Sequence, residues 1–202
     1  IFTVDEPPRK LTTIQIRALD DMARFNRLYD TNLTYPASLL EILLDACSKC
    51  NVTLNTVDFV NKEYVVDQRP EGDDITYHHI VAWVAELAGC NAWIDHLSRL
   101  NISWYGQQQS GDLEIGPDER FSFELADAPI EITGILHRSS DGTDYLVGTD
   151  EYALIIEENP LLQGDDIATP LTNILSAIGG TAYWPYTFDI LPYPHLWPGD
   201  VI

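Results

Sequence analysis

Residues 63–104 read EYVVDQRPEGDDITYHHIVAWVAELAGCNAWIDHLSRLNISW, and this stretch decides the fold. Its first residues predict a short β-strand that ends at Pro70 in a polar turn. Apolar residues then recur at three- and four-residue steps over 77–88, which predicts an amphipathic α-helix. Thr76 stands at the N-cap position of this helix, and Gly89 stands where a left-handed C-cap belongs.

Two further segments, 91–95 and 101–105, predict paired strands around the turn 96–99. Together these elements form a helix laid on one face of a small sheet, which specifies a scaffold and no reaction. A second helix is predicted over 39–50, with Asn51 as its C-cap. Its predicted core-facing side chains are Leu39, Leu40, Leu43, Leu44 and Cys47.

The predicted fold class is α+β, with a small helix-backed sheet followed by a β-rich, barrel-like module. We expect residues 1–29 to contribute a strand and a short helix that belong to a preceding, truncated module. Residues 30–105 form an α/β layer domain, the polar, glycine-rich residues 106–119 a linker, and residues 120–202 a β-rich, barrel-like domain with one helix. The predicted strands of this last domain cover 130–137, 144–148, 152–157 and 182–190, and its helix covers 167–178.

The chain is strongly acidic, with a formal net charge of −21 from 32 acidic and 11 basic residues. Such a surface repels nucleic acid phosphates and anionic membranes over a Debye length, roughly 8 Å at physiological salt. We therefore expect no sequence-specific nucleic acid binding. A DNA-facing role would have to be that of a non-adhesive channel wall. Because no apolar run approaches the roughly 20 residues that span a bilayer, no membrane segment is predicted.

Three cysteines, Cys47, Cys50 and Cys90, favour a reducing compartment over a disulfide scaffold. Cys47 and Cys50 lie at the end of a predicted helix without a second pair, so we interpret them as small buried thiols. The alternative is a zinc site built from the three cysteines and a histidine, which needs four ligands at closed spacing.

No group of residues has a spacing typical of a catalytic site. His78 and His79 share a helix but lack the arrangement of zinc peptidases, and they are interpreted as an exposed helix start. The acidic pairs 73–74, 157–158 and 165–166 lie in loops, whereas glycosidases need two carboxyl groups roughly 5–9 Å apart in a cleft. The sequence has no Gly-x-Ser-x-Gly motif and no phosphate-binding loop. We therefore predict no enzymatic activity, no catalytic residue, no metal ligand and no cofactor.

The aromatic residues near the end of the sequence form the one conspicuous candidate for a binding surface. Aromatic side chains stack on sugars, and they are at least as common in protomer interfaces and in cores. The sequence leaves interface contact and glycan contact open for these residues, which are Tyr183, Trp184, Tyr186, Tyr193 and Trp197.

Nine short segments, taken in order, carry a resemblance to one family. They are VDEPPR (4–9), ALDDM (18–22), LTYPA (33–37), DACSKCNV (45–52), YVVDQRP (64–70), ITYHHIVAWVA (75–85), GTDEYAL (148–154), ENPLL (158–162) and LWPGDVI (196–202). This series resembles the prophage minor structural proteins, which are tail-associated or baseplate-hub proteins of tailed bacteriophages and related contractile injection machines. The resemblance extends over nearly the whole chain.

This resemblance implies a homotrimeric ring at the tail tip of a virion, through which DNA passes. Such a ring is built from an α/β layer and small β-barrel-like modules, assembles in the bacterial cytoplasm, and has other phage tail proteins as partners. Two alternatives stay open. The chain is either a carbohydrate-binding module of a tail tip or part of a tail-associated cell-wall hydrolase whose active site lies outside this sequence.

Overall fold

The computed structural model describes residues 3–4, 18–104, 115–140, 142–180 and 182–190. It divides into two compact units, Ile1–Ser103 and Trp104–Ile202. The described residues form three α-helices and six small sheets of two or three strands each. The predicted α+β class is therefore confirmed. None of the sheets in the described part of the chain closes into a barrel.

The described residues of the first unit form a 3₁₀ helix, two α-helices and seven short strands. The elements are β1 (Thr3–Val4), β2 (Ala18–Leu19), the 3₁₀ helix (Asp21–Phe25), β3 (Ala37–Ser38), α1 (Leu39–Cys50), β4 (Thr53–Leu54), β5 (Val65–Val66), α2 (Tyr77–Leu87), β6 (Asn91–Ile94) and β7 (Arg99–Ser103). Strands β1 and β2 pair with each other, and β3 pairs with β5. A three-stranded sheet has the order β4-β7-β6, with β4 parallel and β6 antiparallel to β7.

Helix α2 begins and ends as its sequence predicts. The Thr76 hydroxyl accepts a hydrogen bond from the His79 N–H at 3.4 Å, and Nδ1 of His79 accepts one from the Thr76 N–H at 3.2 Å. This reciprocal pair is a capping box, which satisfies two N–H groups that would otherwise lack a partner. Beyond the last helical residue, Gly89 has a φ of +63°, the left-handed conformation expected there.

Helix α1 is confirmed in its bounds, but its buried face differs from the predicted one. Leu44 is 44% exposed and Leu40 is half-buried, so both lie off the stripe that faces the core. A leucine-rich helix offers two overlapping apolar stripes, and tertiary packing selects between them. The buried residues are Leu39, Ile42, Leu43, Ala46, Cys47 and Cys50.

The two helices pack on each other, α1 also contacts β4, and α2 also contacts β6. The fully buried side chains Ile80, Leu87 and Leu100 belong to this layer, which is the predicted helix-backed sheet. The strand expected over 63–69 shortens to β5. Its flanking carbonyl groups turn toward α1 instead, where those of Lys62 and Tyr64 accept hydrogen bonds from the first N–H groups of the helix at 3.0 Å.

Where the structure describes it, the second unit is β-rich and has one α-helix. The elements are a 3₁₀ helix (Pro117–Glu119), β8 (Arg120–Leu125), β9 (Ile130–Glu131), β10 (Gly134–Arg138), β11 (Asp144–Gly148), β12 (Ala153–Glu157), α3 (Ala168–Ile178), β13 (Ala182–Tyr183) and β14 (Tyr186–Ile190). A three-stranded sheet has the order β11-β10-β12, with β11 antiparallel and β12 parallel to β10. Strand β9 pairs with β13, and β8 pairs with β14.

The single strand expected over 130–137 is in fact two strands, β9 and β10, with different partners. The break follows from close backbone packing at Gly134, where an added Cβ would lie 2.1 Å from the carbonyl oxygen of Thr149. Only glycine fits there. At this point β9, which pairs with β13, ends, and β10, which pairs with β11 and β12, begins. Helix α3 covers one face of the three-stranded sheet and buries Leu171 and Ile174.

Several expectations fall on residues outside the described part of the chain. These are residues 10–17 of the strand that we expect within 1–29, the greater part of the 106–119 linker and everything after Ile190. No helix in the described ranges is long and apolar enough to cross a bilayer.

The N-terminus of α1 depends on a second capping box, in which Ser38 Oγ accepts a hydrogen bond from the Glu41 N–H at 3.3 Å and Glu41 Oε2 accepts one from the Ser38 N–H at 2.8 Å. Replacing Ser38 by alanine removes this acceptor. We expect Ser38→Ala to lower the free energy of unfolding by about 1 kcal/mol in urea denaturation followed by circular dichroism. Ser48→Ala, on the exposed side of the same helix, is the control and should change stability by less than about 0.5 kcal/mol. Equal effects of the two variants would contradict the capping role.

Candidate assembly surface

Strands β8 and β14 form a two-stranded antiparallel ribbon in the second unit. Their register places Tyr186 opposite Leu125 and Phe188 opposite Phe123. Because directly opposed residues of paired strands point to the same side, these four side chains lie on one face. We call this set, Phe123, Leu125, Tyr186 and Phe188, the aromatic face of the ribbon.

The aromatic face is exposed to solvent and its rings are already ordered against each other. Phe123 is 56% exposed, Leu125 52% and Tyr186 51%. The ring of Tyr186 stacks on that of Phe188 with 5.5 Å between centroids and lies 6.1 Å from that of Phe123. Phe121, further along β8, is 68% exposed. A contiguous apolar surface of this kind is typical of an interaction site.

The other face of the ribbon is polar. It carries Ser122 and Glu124 from β8 and Thr187 and Asp189 from β14. Ser122 Oγ donates a hydrogen bond to Asp189 Oδ2 at 2.7 Å and accepts one from the Asp189 N–H at 3.2 Å. The ribbon is therefore amphipathic, with its acids directed away from the aromatic face.

A second apolar surface lies on the three-stranded sheet. Leu136 of β10 stands opposite Leu146 of β11 and Ile155 of β12, so the three side chains form a row across all three strands. Leu146 is 46% and Ile155 43% exposed, and Leu136 is partly buried. We call these three residues the aliphatic row. It is bordered by the ion pair between Arg138 and Glu157, whose atoms lie 3.0 Å apart.

Among the aromatic residues singled out in the sequence, Tyr186 belongs to the aromatic face. Trp184 lies between β13 and β14 and is 48% exposed, and Tyr183 lies in β13. Tyr193 and Trp197 lie outside the described residues. The sequence analysis missed Phe123, Leu125 and Phe188. The alternation of apolar and polar residues in RFSFEL (120–125) and YTFDI (186–190) was the sequence signal for them. It identifies a shared face only when the pairing of the two strands is known.

Groups that carry chemistry do not converge in the described part of the chain, where no cluster of histidine, cysteine and acidic residues has the geometry of a metal site. Burial raises the pKa of the Cys47 thiol to about 12, so the thiol stays protonated and unreactive. Cys50 is also buried and Cys90 is partly exposed. His78 and His79 are exposed at the start of α2, as expected, and His79 stacks on Trp83.

A shallow depression of about 380 Å³ is lined by residues 68–72. Its one cation, Arg69, is held by the protein itself. The guanidinium donates a hydrogen bond to the carbonyl oxygen of Tyr29 at 2.6 Å and lies 5.1 Å from the centre of the Tyr29 ring. The Tyr29 hydroxyl in turn lies 2.9 Å from that of Tyr35, and burial raises the pKa of both phenols. This arrangement stabilises the first unit and commits the Arg69 guanidinium to a structural role.

Asp95 is the most perturbed carboxylate for which the structure gives a cause. Burial alone would raise its pKa, but hydrogen bonds from the Arg99 side chain, the Arg99 N–H and the Leu97 N–H outweigh burial and lower the pKa to about 2. Oδ1 accepts both backbone hydrogen bonds at 2.9 Å, and Oδ2 accepts one from Nε of Arg99 at 2.8 Å. These contacts close the β6–β7 turn, so the role of this carboxylate is structural.

Comparison with known proteins finds similarity among solved structures. No family model matches the chain, and no curated protein matches it. Among solved structures, the chain is similar to the 43 kDa tail protein of prophage MuSo2 from Shewanella oneidensis, with a TM-score of 0.49 and 16% sequence identity. The similarity covers 84% of this chain and 54% of that protein, so this chain spans about half of the length of the protein it matches.

Asp95 makes stability depend on pH in a defined window. Its pKa is about 2 in the folded state and near 3.9 in unfolded chains, so its stabilisation is complete above about pH 4 and disappears as the pH falls through 2. We expect Asp95→Asn to lower the free energy of unfolding by about 1–3 kcal/mol at neutral pH. Urea denaturation at a series of pH values should show that this difference shrinks toward zero near pH 2.

The control for this experiment is Asp73→Asn, which neutralises an exposed carboxylate. Its effect should stay within about 0.5 kcal/mol over the whole range. A difference between Asp95→Asn and the unaltered chain that persists unchanged to pH 2 would show that the carboxylate charge is not what closes the turn.

Proposed function

We propose that this chain is a structural component of a phage or prophage tail tip, where it forms part of a homotrimeric baseplate-hub ring through which DNA passes. The observation that carries the proposal is the aromatic face, an ordered and exposed apolar surface on a chain of net charge −21. The resemblance of nine short segments to prophage minor structural proteins supports a phage tail as the assembly to which the chain belongs. In this proposal the protein resides in the virion tail and contacts other tail proteins.

Assembly accounts for the described side chains better than enzymatic activity does. Ionisable groups with perturbed pKa values, among them Cys47, Tyr29 and Asp95, have them because they are buried or because they hold a turn. A catalytic site would bring such groups together in a cleft that a substrate can enter. The apolar surfaces, by contrast, are accessible. This contrast supports a structural role, in which the protein acts through its shape and its contacts with other molecules.

The acidic composition supports the DNA-conduit part of the proposal. A channel wall must let phosphates pass without holding them, and like charge achieves this by repulsion within roughly 8 Å at physiological salt. Assembly with the acids turned outward and a basic lumen would be incompatible with this role.

A carbohydrate-binding role is the second candidate, and the exposed Trp184 and Tyr186 are the observation that favours it. Sugar sites combine stacking rings with polar groups that bind the hydroxyls. On this ribbon the polar groups Ser122 and Asp189 lie on the opposite face and bond to each other. Assembly therefore accounts for the surface more fully. The hydrolase alternative would place its active site in another part of the parent protein.

The proposal is tested by locating the protein. Antibodies against this chain should label the tail tip of virions that carry the parent protein, and electron micrographs of the purified parent should show threefold rings with a central opening. Labelling of the capsid, or particles of the purified parent that show no ring, would overturn the proposal. Antibody against the major capsid protein is the control for the specificity of labelling.

The conduit role makes a separate prediction about DNA. Proteins that contact phosphates bind more tightly as salt is lowered, with a negative slope of log affinity against log salt. We expect fluorescence anisotropy to detect no binding of duplex DNA by this chain at any salt concentration. A micromolar affinity that strengthens at low salt would contradict an acidic, non-adhesive wall. A basic DNA-binding domain of similar size serves as the positive control.

A further inference from the structure

We propose that the ribbon formed by β8 and β14 takes an extended segment of another protein as a third strand, and that this segment alternates apolar side chains with lysine or arginine. The inference rests on the proposed function, in which the chain contacts other tail proteins, and it names the chemistry of one such partner. The partner strand lies along β8, with its apolar side chains on the aromatic face and its basic side chains on the opposite face.

The first step is the outer edge of β8. Within the part of the chain that the structure describes, β8 pairs with β14 alone, and all of its residues, Arg120–Leu125, are exposed. Such an edge presents N–H and C=O groups to which a further strand can bond. The ladder with β14 passes over Phe121, so the regular part of the edge is 122–125. A two-stranded ribbon is marginally stable in water, and a third strand adds hydrogen bonds and buried apolar area.

The second step is the alternation that a partner strand would have to match. Successive side chains of a strand point to opposite faces, so Phe123 and Leu125 lie on one face and Ser122 and Glu124 on the other. A strand added beside β8 continues both faces, because directly opposed residues of paired strands share a face. It would therefore bring apolar side chains to Phe123 and Leu125, and polar or charged side chains to Glu124.

The third step is the order that the aromatic face already has. The ring of Phe123 lies 6.1 Å from that of Tyr186, which stacks on Phe188 with 5.5 Å between centroids. Phe123 and Tyr186 are nevertheless about half exposed, at 56% and 51%. Because the rings hold each other in place, covering them removes apolar area from water at a small cost in side-chain freedom.

The fourth step is charge, which identifies the partner as basic. Of the 11 basic residues of the chain, Arg120 and Arg138 alone belong to the second unit, which holds more than half of the 32 acidic residues. Arg138 is paired with Glu157. Glu124 and Asp127, on and just after β8, are exposed and take part in none of the ion pairs of the described residues. A strand with lysine or arginine on its polar side is attracted here, whereas a second copy of net charge −21 is repelled.

The test uses a synthetic peptide as the partner strand. A short fluorescein-labelled peptide in which lysine and valine alternate supplies both required features. One control peptide has the same composition with its lysines and valines in two blocks, and a second alternates glutamate with valine. In fluorescence anisotropy with the unaltered chain, we expect the lysine–valine alternation to bind about tenfold or more tightly than either control. Its affinity should fall as salt is raised, because salt screens the attraction between opposite charges.

Two variants of the chain locate the contact, each with a matched control. Phe123→Ser, which removes the centre of the aromatic face, should weaken binding about tenfold or more. Glu124→Gln removes one charge and keeps the shape of the side chain, and it should weaken binding about two- to fivefold. The controls Tyr152→Ser and Glu151→Gln alter an exposed aromatic residue and an exposed carboxylate outside the ribbon, and both should bind as the unaltered chain does.

Hydrogen exchange distinguishes strand addition from looser attraction. A third strand bonds to the outward N–H groups of β8, so the peptide should slow deuterium uptake over residues 120–125. Uptake over β12, which already pairs with β10, should not change. Binding of the peptide without added protection of 120–125 would overturn strand addition, and circular dichroism verifies that each variant is folded.

Other results would assign the ribbon differently. The inference is wrong if the alternating peptide does not bind up to about 1 mM, or if the block peptide binds equally well, since that indicates general attraction to an acidic chain. Glycan-array binding that is lost in Phe123→Ser would assign the aromatic face to sugar, and a dimer that Phe123→Ser dissociates would assign it to a second copy. These results leave the proposed place in the virion tail untouched, because antibody labelling decides that separately.

Discussion

A two-stranded ribbon has two faces and no interior, so an apolar side chain on it is removed from water only by something outside the ribbon. The pairing of β8 with β14 imposes this constraint on the second unit. It places Phe123, Leu125, Tyr186 and Phe188 together and sends Glu124 and Asp189 to the other side. The ribbon cannot bury its aromatic face on its own strands, and the functional interpretation depends on what covers that face.

The acidic surface limits which molecules can cover the aromatic face. At a net charge of −21, random contact between copies is repulsive. The same repulsion favours solubility and makes contacts specific. Repulsion is weakest at a surface without carboxylates. The aromatic face satisfies this condition, because Glu124 and Asp189 lie on the opposite side of the ribbon. The row formed by Leu136, Leu146 and Ile155 does not, because the register of the sheet places Asp144 and Glu157 beside it on the same face.

The elements that sequence predicts well are those whose signals lie within one helical turn or one hairpin. Thr76 and Gly89 fix the ends of α2 through contacts with their near neighbours, and Asn51 does the same for α1, with a φ of +53°. The antiparallel strands β6 and β7 follow from a short turn between them. The α+β class could be predicted because it is the sum of such local signals.

The features that sequence could not supply depend on distant partners. The break between β9 and β10 follows from the carbonyl of Thr149 lying against Gly134, and no local pattern encodes that approach. In the same way, β8 was missed because its partner strand lies some sixty residues further along the chain, at Tyr186–Ile190. The prediction that Tyr183, Trp184, Tyr186, Tyr193 and Trp197 make interface or glycan contacts stays a prediction.

Two ionisable groups of the first unit bear on function because of the structural contacts that they already make. Asp95 accepts its hydrogen bonds from the two ends of one turn, and Arg69 is committed to Tyr29. Turning either into a catalytic group would require breaking contacts that hold the unit together, since removing one partner leaves the other buried and unsatisfied. In the described residues, Asp95 and Arg69 are thus committed to the architecture of the first unit, whereas the aromatic face of the second unit is accessible. An accessible apolar surface of this kind is suited to contact with other molecules.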